Sequence, residues 1–438
     1  MSALPAIAVL AALIIVHELG HFMAARLQGI YANRFSIGFG PILWKYQGPE
    51  TEYAIRAFPL GGFVGFPDDD PEENNIDPND PNLLRNRPIL DRAIVISAGV
   101  IANLIFAYLV LVLQVGTVGV LKAENPGVTI PRIVAEVSQV GPKAADLGFK
   151  PGDTISFDQT LDYVFNPQTS SADLIFKKTT NEPIQLPVER KKSDGKSELV
   201  RLSLPAGVGN DGLTIRLKPT PAIRYGLKPG DAILAANGQV FDRSIEEQAT
   251  LRKIIQENPG TPIQLKIQRD EQVLSLVVTP EATPDGEGRI GTALAPNGKL
   301  ERQRAAGFAV FSAAADEFQT IVNQTIDGFA QLISRFTSVA DQVGGPVAIV
   351  AAGARITQSD AANLFYFAAL ISINLAVINI LPLPALDGGH LAFLLIEGLR
   401  GKPLPTKIQD GVMQTGFMLL LGLGIFLIIR DTANLIPQ

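Results

Sequence analysis

Long uncharged stretches alternate with charged segments along this chain, and four of these stretches stand out by their length. They are residues 1–25, 93–121, 361–386 and 411–429. The last three carry no charged side chain, and the first carries only Glu18 when histidine is counted as neutral. A helix needs about 20 apolar residues to cross the hydrocarbon core of a membrane. The pattern therefore predicts four transmembrane helices.

The charges of the connecting segments predict the orientation of these helices. The first and third connections are rich in basic residues: Arg26, Arg34, Lys45, Arg56, Arg85, Arg87 and Arg92 in the first, and Arg400, Lys402 and Lys407 in the third. Basic loops stay on the cytosolic side of a membrane. We therefore expect the long middle segment and both termini to lie on the extracytoplasmic side.

The middle segment contains an internal repeat. The run LGFKPGDTI at residues 147–155 returns as YGLKPGDAI at 225–233, and EPIQLPVER at 182–190 returns as TPIQLKIQR at 261–269. Two matches at nearly the same spacing predict two copies of one domain of about 80 residues. The second copy, with its Asn-Gly turn, resembles a bacterial, circularly permuted PDZ domain. The first copy lacks that turn, so its peptide groove is in doubt. For the PDZ-like domains, a plain β-rich spacer or a steric filter is an equal alternative to peptide capture.

Three other segments have recognisable patterns. Residues 34–66 alternate β-formers with glycine and predict one or two β-hairpins that dip into the membrane. Residues 67–81 are acidic and proline-rich, which is typical of a solvated, mobile loop. Between residues 303 and 342, apolar side chains recur at helical spacing and predict one or two amphipathic helices, on the membrane or packed as a soluble helix: Phe308, Phe311, Phe318, Ile321, Phe329, Leu332 and Phe336.

Composition restricts the chemistry that this chain can perform. The net charge is −6 and the pI is about 5.3, which argues against a nucleic-acid partner. The chain has no cysteine and only three histidines, His17, His21 and His390. A metal site must therefore be built from these histidines and from carboxylates.

The first apolar stretch carries the motif HELGH, in which His17 and His21 flank Glu18. Histidines four residues apart share one helix face, so both imidazoles can bind one ion. A glutamate beside the first ligand can act on water at the metal. Such groups are costly in a lipid-embedded helix, by roughly 2.5–3.5 kcal/mol for one carboxylate. The motif therefore predicts a catalytic zinc site, which needs three protein ligands and an open position.

The third ligand is expected from the segment NILPLPALDGGH at residues 379–390. Asp387 is the first charged residue after the third apolar stretch, and at 1.5 Å per helical residue it reaches a depth similar to that of His17. His390 is the rival ligand, although it lies three residues further toward the cytosol. A Gly-Gly turn behind Asp387 would let the backbone bend and present the carboxylate.

These features together resemble the site-2 protease family, and most of all its bacterial regulator-of-sigma-E protease type. Further matches are GFGP at 38–41, SAGVIAN at 97–103 and GGPVAI at 344–349, and Val100 is a departure because the family often has proline there. The resemblance implies Zn²⁺ bound by His17, His21 and Asp387, with Glu18 as the catalytic acid and base. It also implies that Asn379 holds the substrate strand or the oxyanion, although a helix–helix contact is the alternative from the residue alone.

The resulting fold class is a polytopic α-helical membrane protein with four transmembrane helices, a membrane-associated β-hairpin loop and two extracytoplasmic PDZ-like α+β domains. We expect an N-terminal membrane part (1–121), two PDZ-like domains (122–205 and 206–285), a linker with amphipathic helices (286–360) and a C-terminal membrane part (361–438).

The resemblance implies regulated intramembrane proteolysis of a pre-trimmed single-span protein such as an anti-sigma factor, with peptide or substrate ectodomain at the PDZ-like domains. The membrane is expected to be a bacterial inner membrane, with a plastid or thylakoid membrane as the alternative. Two other functions compete with this one. A non-catalytic scaffold would not need Glu18, and a metal transporter would need repeated sets of spans, which these four do not form.

Overall fold

A computed structural model describes residues 3–68, 76–176, 183–191, 197–204, 213–334, 344–360 and 362–435. These residues form ten α-helices: α1 Leu4–Leu27, α2 Ile89–Thr117, α3 Pro142–Asp146, α4 Pro221–Arg224, α5 Glu247–Glu257, α6 Ala309–Ser334, α7 Pro346–Ser359, α8 Asn363–Ile380, α9 Asp387–Arg400 and α10 Thr406–Leu435. The chain divides into two compact units, one made of residues Leu121–Gln303 and the other of Met1–Val120 with Arg304–Gln438.

The described residues also form eighteen β-strands: β1 Arg34–Gln47, β2 Glu52–Gly65, β3 Val120–Ala123, β4 Val128–Val140, β5 Thr154–Phe157, β6 Leu161–Asn166, β7 Ser171–Phe176, β8 Ile184–Lys191, β9 Ser197–Leu204, β10 Ile215–Leu217, β11 Ala232–Ala236, β12 Gln239–Val240, β13 Ile263–Arg269, β14 Gln272–Val278, β15 Glu281–Ala282, β16 Gly288–Arg289, β17 Thr292–Pro296 and β18 Leu300–Gln303.

The helical unit contains the four predicted spans. Four helices are long and apolar enough to cross a membrane: Leu4–Leu27, Ile89–Thr117, Asn363–Ile380 and Thr406–Ala433. Each of the four predicted spans therefore corresponds to a helix of suitable length and composition. The third span is shorter than predicted, because α8 ends at Ile380 and the chain starts a separate helix, α9, at Asp387. The sequence pattern did not predict α9, which is followed by Gly401 with the left-handed backbone that glycine favours.

The predicted amphipathic region is α6, which begins at Ala309. Its buried residues are Ala314, Ile321 and Thr325. Phe336, which belonged to the same predicted pattern, lies outside the described residues. A second, shorter helix, α7, follows before the third span.

The segment that follows α1 forms a folded hairpin of β1 and β2. Residues 34–37 pair on one side with 62–65 and on the other with 52–55, and residues 44–47 pair with 52–55. The bent hairpin therefore has four short strand segments, with 62–65 at one edge. Of the predicted acidic loop that follows, residues 69–75 lie outside the described part of the chain.

The middle unit consists of β-strands and short α-helices around the long strand β4. This strand pairs with β5, β10, β11 and β17, so strands from both sequence repeats meet on it. One buried apolar core runs through the unit and includes Phe149, Phe157, Phe241 and Leu251. The two repeats therefore share a core.

The same pair of an arginine and a buried aspartate occurs in both copies of the repeat. Asp153 and Asp231 are each about 1% exposed and each receives two hydrogen bonds of 2.7 Å from an arginine, Arg190 and Arg269 respectively. Each aspartate also accepts the backbone N–H of the lysine that opens the Lys-Pro-Gly-Asp turn. The hydrogen bonds that Arg269 donates to Asp231 raise the pKa of Arg269, since they stabilise its charged form.

The copies differ elsewhere. In the second copy, helix α5 follows the Asn-Gly turn between β11 and β12, where Asn237 has a φ of 48° and Gly238 a φ of 84°. In the first copy, the corresponding part of the described chain is the antiparallel pair β6 and β7. Part of the predicted linker, residues 288–303, belongs to the middle unit, because β17 pairs with β4 and β18 pairs with β3. The predicted boundary at 205/206 lies outside the described residues.

Candidate metal centre

Helix α1 presents the two histidines of the HELGH motif on one face. The Nε2 atoms of His17 and His21 lie 3.3 Å apart, as their spacing of four residues on a helix predicts. Their side chains are 12% and 13% exposed. Both rings are thus held within the helical unit with their Nε2 atoms directed at a common point.

Helix α2 packs against this face and orients both rings. Nδ1 of His21 lies 2.8 Å from the backbone oxygen of Val95, to which it donates its proton. The amide of Asn103 lies 3.2 Å from Nδ1 of His17, and its Oδ1 has no other partner among the described residues. Since an amide can present either its oxygen or its nitrogen, Asn103 can accept the Nδ1 proton of His17. Both Nε2 atoms then keep a lone pair for a metal.

Asp387 reaches the same point from the first residue of α9. Its Oδ2 lies 3.2 Å from Nε2 of His17 and 3.5 Å from Nε2 of His21. The turn before α9 brings it there through Ala385, which has a φ of 69°. A Cβ atom at Gly388 would lie 2.0 Å from the backbone oxygen of Leu381, which requires glycine there. The expectation that the Gly-Gly pair makes the bend is wrong: these glycines start the helix, and they allow close backbone approach.

The three donor atoms fit a zinc ion. In the plane of the two Nε2 atoms and Oδ2, the point equidistant from all three is about 1.9 Å from each. This is close to zinc–ligand distances of about 2.0–2.2 Å. Oδ2 of Asp387 is buried and has no hydrogen-bond partner among the described residues, as a metal ligand would. Among those residues, His17, His21 and Asp387 form the group of histidines and carboxylates close enough to hold a metal. The rival ligand His390 does not belong to this group.

Glu18 lies between the two histidines in sequence and contacts the hairpin. A Cβ atom at Gly62 would lie 2.9 Å from Cγ of Glu18, so only glycine leaves room for this side chain. The backbone of Val64 is within hydrogen-bonding reach of its carboxylate. The edge segment 62–65 of the hairpin therefore runs directly beside Glu18.

Asn379 is buried in the last turn of α8, where the residue is 8% exposed. It lies eight residues before Asp387, on the helix that leads into the turn before α9. Its predicted contact with substrate stays a prediction.

Asn103 and Gly99 are site residues that sequence reasoning did not assign. Both belong to the SAGVIAN run, which was noted only as a match. A Cβ atom at Gly99 would lie 2.4 Å from Nε2 of His21 and 2.8 Å from Cε1 of His17. The backbone of Asn103 is held in turn by the hydroxyl of Ser372, which donates to its carbonyl oxygen at 2.8 Å. The signal for Asn103 in the sequence was an asparagine within an otherwise apolar span.

Replacing Gly99 by alanine is expected to weaken zinc binding by roughly 10–100-fold, the usual effect of disturbing the groups that orient metal ligands. The added methyl group would push His21 out of place, since it would lie far inside contact distance of the ring. The zinc dissociation constant of the purified protein, measured in chelator buffers, tests this.

Gly116→Ala is the matched control on the same helix, because a Cβ atom there would lie 3.5 Å from its nearest neighbour in Val310. If both variants bind zinc as the wild type does, the close packing of Gly99 on the histidines has no role in metal binding.

Comparison with known proteins gives consistent matches over nearly the whole chain. The model of peptidase family M50 matches residues 5–423. A Nostoc sp. protein with the provisional name zinc metalloprotease all3971 is 54% identical over 438 residues, which is 100% of this chain and 98% of the relative. The chloroplastic membrane metalloprotease ARASP of Arabidopsis thaliana is 39% identical over 438 residues, 99% of this chain and 79% of the relative. The regulator of sigma-E protease RseP of Escherichia coli is 33% identical over 450 residues, 96% of each chain.

Proposed function

Because this chain belongs to peptidase family M50 and is a zinc metalloendopeptidase of the site-2 protease type, we propose that it hydrolyses a peptide bond within the transmembrane segment of a single-span membrane protein. The observation that carries this proposal is the convergence of Asp387 with His17 and His21 beside Glu18, on α1, a helix long and apolar enough to cross a membrane. The substrate is expected to be trimmed by an earlier cut, and an anti-sigma factor is the model substrate.

In this proposal His17, His21 and Asp387 hold the zinc ion that the family uses. When bound, zinc acts as a Lewis acid that polarises the scissile carbonyl and makes water more acidic. Glu18 accepts the proton of the attacking water on its carboxylate and later donates it to the leaving amine. Val95 and Asn103 keep the two imidazoles in the tautomer that leaves Nε2 free.

A transmembrane substrate must unwind before it can be cut, because helical backbone groups are already hydrogen-bonded to one another. Residues 62–65 offer an edge for the unwound segment, since no strand pairs with their outer side among the described residues. An extended peptide added at this edge would pass Glu18, which contacts Gly62. Asn379 would then supply a side-chain amide that holds the substrate backbone or the oxyanion.

The two repeats of the middle unit are proposed to be PDZ-like domains on the extracytoplasmic side. A cavity of about 470 Å³ lies between α5 and β17 in the second copy, with Arg252, Ile255 and Gly291 among its lining residues. A peptide could add there to the edge of β17 that does not face β4. Peptide binding is therefore assigned to the second copy. In the first copy β6 and β7 stand in the corresponding place, which supports a screening role.

We expect a substrate whose ectodomain has been removed to be cleaved at least about tenfold faster than the same substrate with its full ectodomain, because a bulky domain would clash with the PDZ-like pair. Cleavage of both forms by the reconstituted protein measures this ratio. A variant in which residues Leu121–Gln303 are replaced by a flexible linker is the comparison, and it should cleave both forms at similar rates. Equal rates with the wild type would refute the screening role and leave the zinc site untouched.

The chain is a membrane protein, and its relatives occur both in bacteria and in chloroplasts. We propose that it works in a bacterial inner membrane, with a plastid or thylakoid membrane as the alternative. The lipid bilayer is then the partner of the exposed faces of the spans, such as Leu109 in α2 and Leu423 in α10, which are 56% and 52% exposed.

A further inference from the structure

One cavity of the helical unit, of about 630 Å³, is lined by the edge segment of the hairpin and by α9, the helix that begins at Asp387. Its walls are the edge segment of the hairpin with Val64 and Gly65, the start of α2 with Arg92, and α9 with His390 and Glu397. A Cβ atom at Gly62, two residues before Val64 on the edge segment, would lie 2.9 Å from Cγ of Glu18, and His390 lies one helical turn after Asp387. A peptide that follows the hairpin edge past Glu18 toward Gly65 therefore enters this cavity.

The lining of this cavity is rich in polar groups and carries more positive than negative charge. Its charged residues are Arg34, Arg85, Arg92, Asp68 and Glu397. Glu397 is paired with Arg92, and the carboxylate of Asp68 accepts the backbone N–H of Arg85. The guanidinium of Arg34 forms no ion pair with any residue in the described part of the chain.

Another cavity of the same unit has the opposite chemistry. It measures about 850 Å³ and is lined mostly by apolar residues, including Leu10 and Leu13 of α1 and Leu370 of α8. Leu10 and Leu13 precede His17 on α1, so this apolar cavity lies before the HELGH motif. At the other end of the motif, His21 donates to the backbone oxygen of Val95, which follows Arg92 by one turn of α2, and Arg92 lines the polar cavity. An apolar cavity on one side of the metal centre and a charged one on the other would receive different parts of one substrate.

We propose that the polar cavity is a subsite for the unwound substrate residues that lie on the Gly65 side of the scissile bond, and that it favours a carboxylate side chain there. Arg34 is the group that selects this carboxylate, because the other two guanidinium groups already have partners and Arg34 offers a planar pair of donors. The imidazole of His390 adds a polar neighbour at the far wall. This inference rests on the proposed proteolytic function and extends it to the sequence that is cut.

The test uses the full chain reconstituted in vesicles with a set of trimmed single-span substrates. Each substrate carries Asp, Asn, Leu or Lys at one of the three positions on either side of the scissile bond. The Gly65 side of the scissile bond is the one nearest the predicted cytosolic side. On this flank, substrates with Asp are expected to exceed substrates with Lys by about tenfold in kcat/KM at one or more positions. Arg34→Glu is expected to reverse that order, and Arg34→Lys to keep it. The opposite flank should show no such preference.

Lys45→Glu is the matched charge reversal in the same hairpin, since Lys45 is 62% exposed, pairs with Glu52 and does not line the cavity. It should leave the order of the substrates unchanged. A preference that persists in Arg34→Glu, that changes equally in Lys45→Glu or that is missing while all substrates are cut would overturn the subsite and leave the proteolytic function standing. Failure of the zinc-loaded wild type to cut any substrate would overturn the proposed function and the subsite with it.

Discussion

Replacing Glu18 by glutamine is expected to lower kcat for peptide hydrolysis by about 10²–10⁴-fold while zinc remains bound. Glutamine has the same shape and keeps the contact with Gly62, but its amide cannot take a proton from water at neutral pH. His17, His21 and Asp387 are unchanged in this variant, so the metal content should match that of the wild type. Cleavage of a trimmed single-span substrate, together with zinc analysis of the same sample, measures both quantities.

The matched control is Glu50→Gln, which makes the same chemical change at a surface carboxylate that is 60% exposed and pairs with Arg26. This variant should cleave at a rate close to that of the wild type, because exposed ion pairs contribute little. Wild-type cleavage by Glu18→Gln would contradict the assignment of Glu18 as acid and base. Loss of zinc from that variant would instead show that Glu18 helps to hold the metal.

Replacing Asp387 by alanine is expected to weaken zinc binding by more than about 100-fold, which is the upper end for groups that only orient a ligand. Oδ2 of Asp387 supplies one corner of the three-atom donor set, and no other carboxylate or histidine among the described residues belongs to that group. Zinc content after dialysis against a chelator buffer, and cleavage activity in parallel, test this expectation. Both should fall together.

His390→Ala separates the two candidate ligands that the sequence left open. It should retain its zinc, because His390 does not belong to the donor group. The reverse result, with zinc lost from His390→Ala and kept by Asp387→Ala, would show that the third ligand is the histidine. Gel-filtration profiles identical to that of the wild type would rule out misfolding as the cause of either loss.

Local patterns in the sequence were sufficient for much of the architecture. The four spans follow from the lengths of the uncharged stretches, which depend only on the rise of a helix and the thickness of a bilayer. The shared face of His17 and His21 follows from 3.6 residues per helical turn. The repeat in the middle segment also has a local cause, since Asp231 and its counterpart Asp153 close the Lys-Pro-Gly-Asp turn.

The order of the hairpin segments and the union of the two repeats could not be predicted, because both depend on contacts between segments that are far apart in sequence. Residues 62–65 lie at the edge of the bent hairpin beside Glu18, and strand alternation alone predicts hairpins without their order. Similarly, two sequence copies predict two domains, whereas packing unites them through β4 and one core.

The candidate metal centre likewise combines features that the sequence predicted with features that depend on packing. The sequence by itself determined that His17, Glu18 and His21 lie together, because one helix turn sets their spacing, and it narrowed the third ligand to two residues by helix length. Only the tertiary structure placed Asp387 rather than His390 against the Nε2 atoms, since the packing of α2 on α1 and of α9 on α2 sets which side chain faces them. The same packing decided that Gly99 and Asn103 belong to the site, because they matter only through their close approach to rings on another helix.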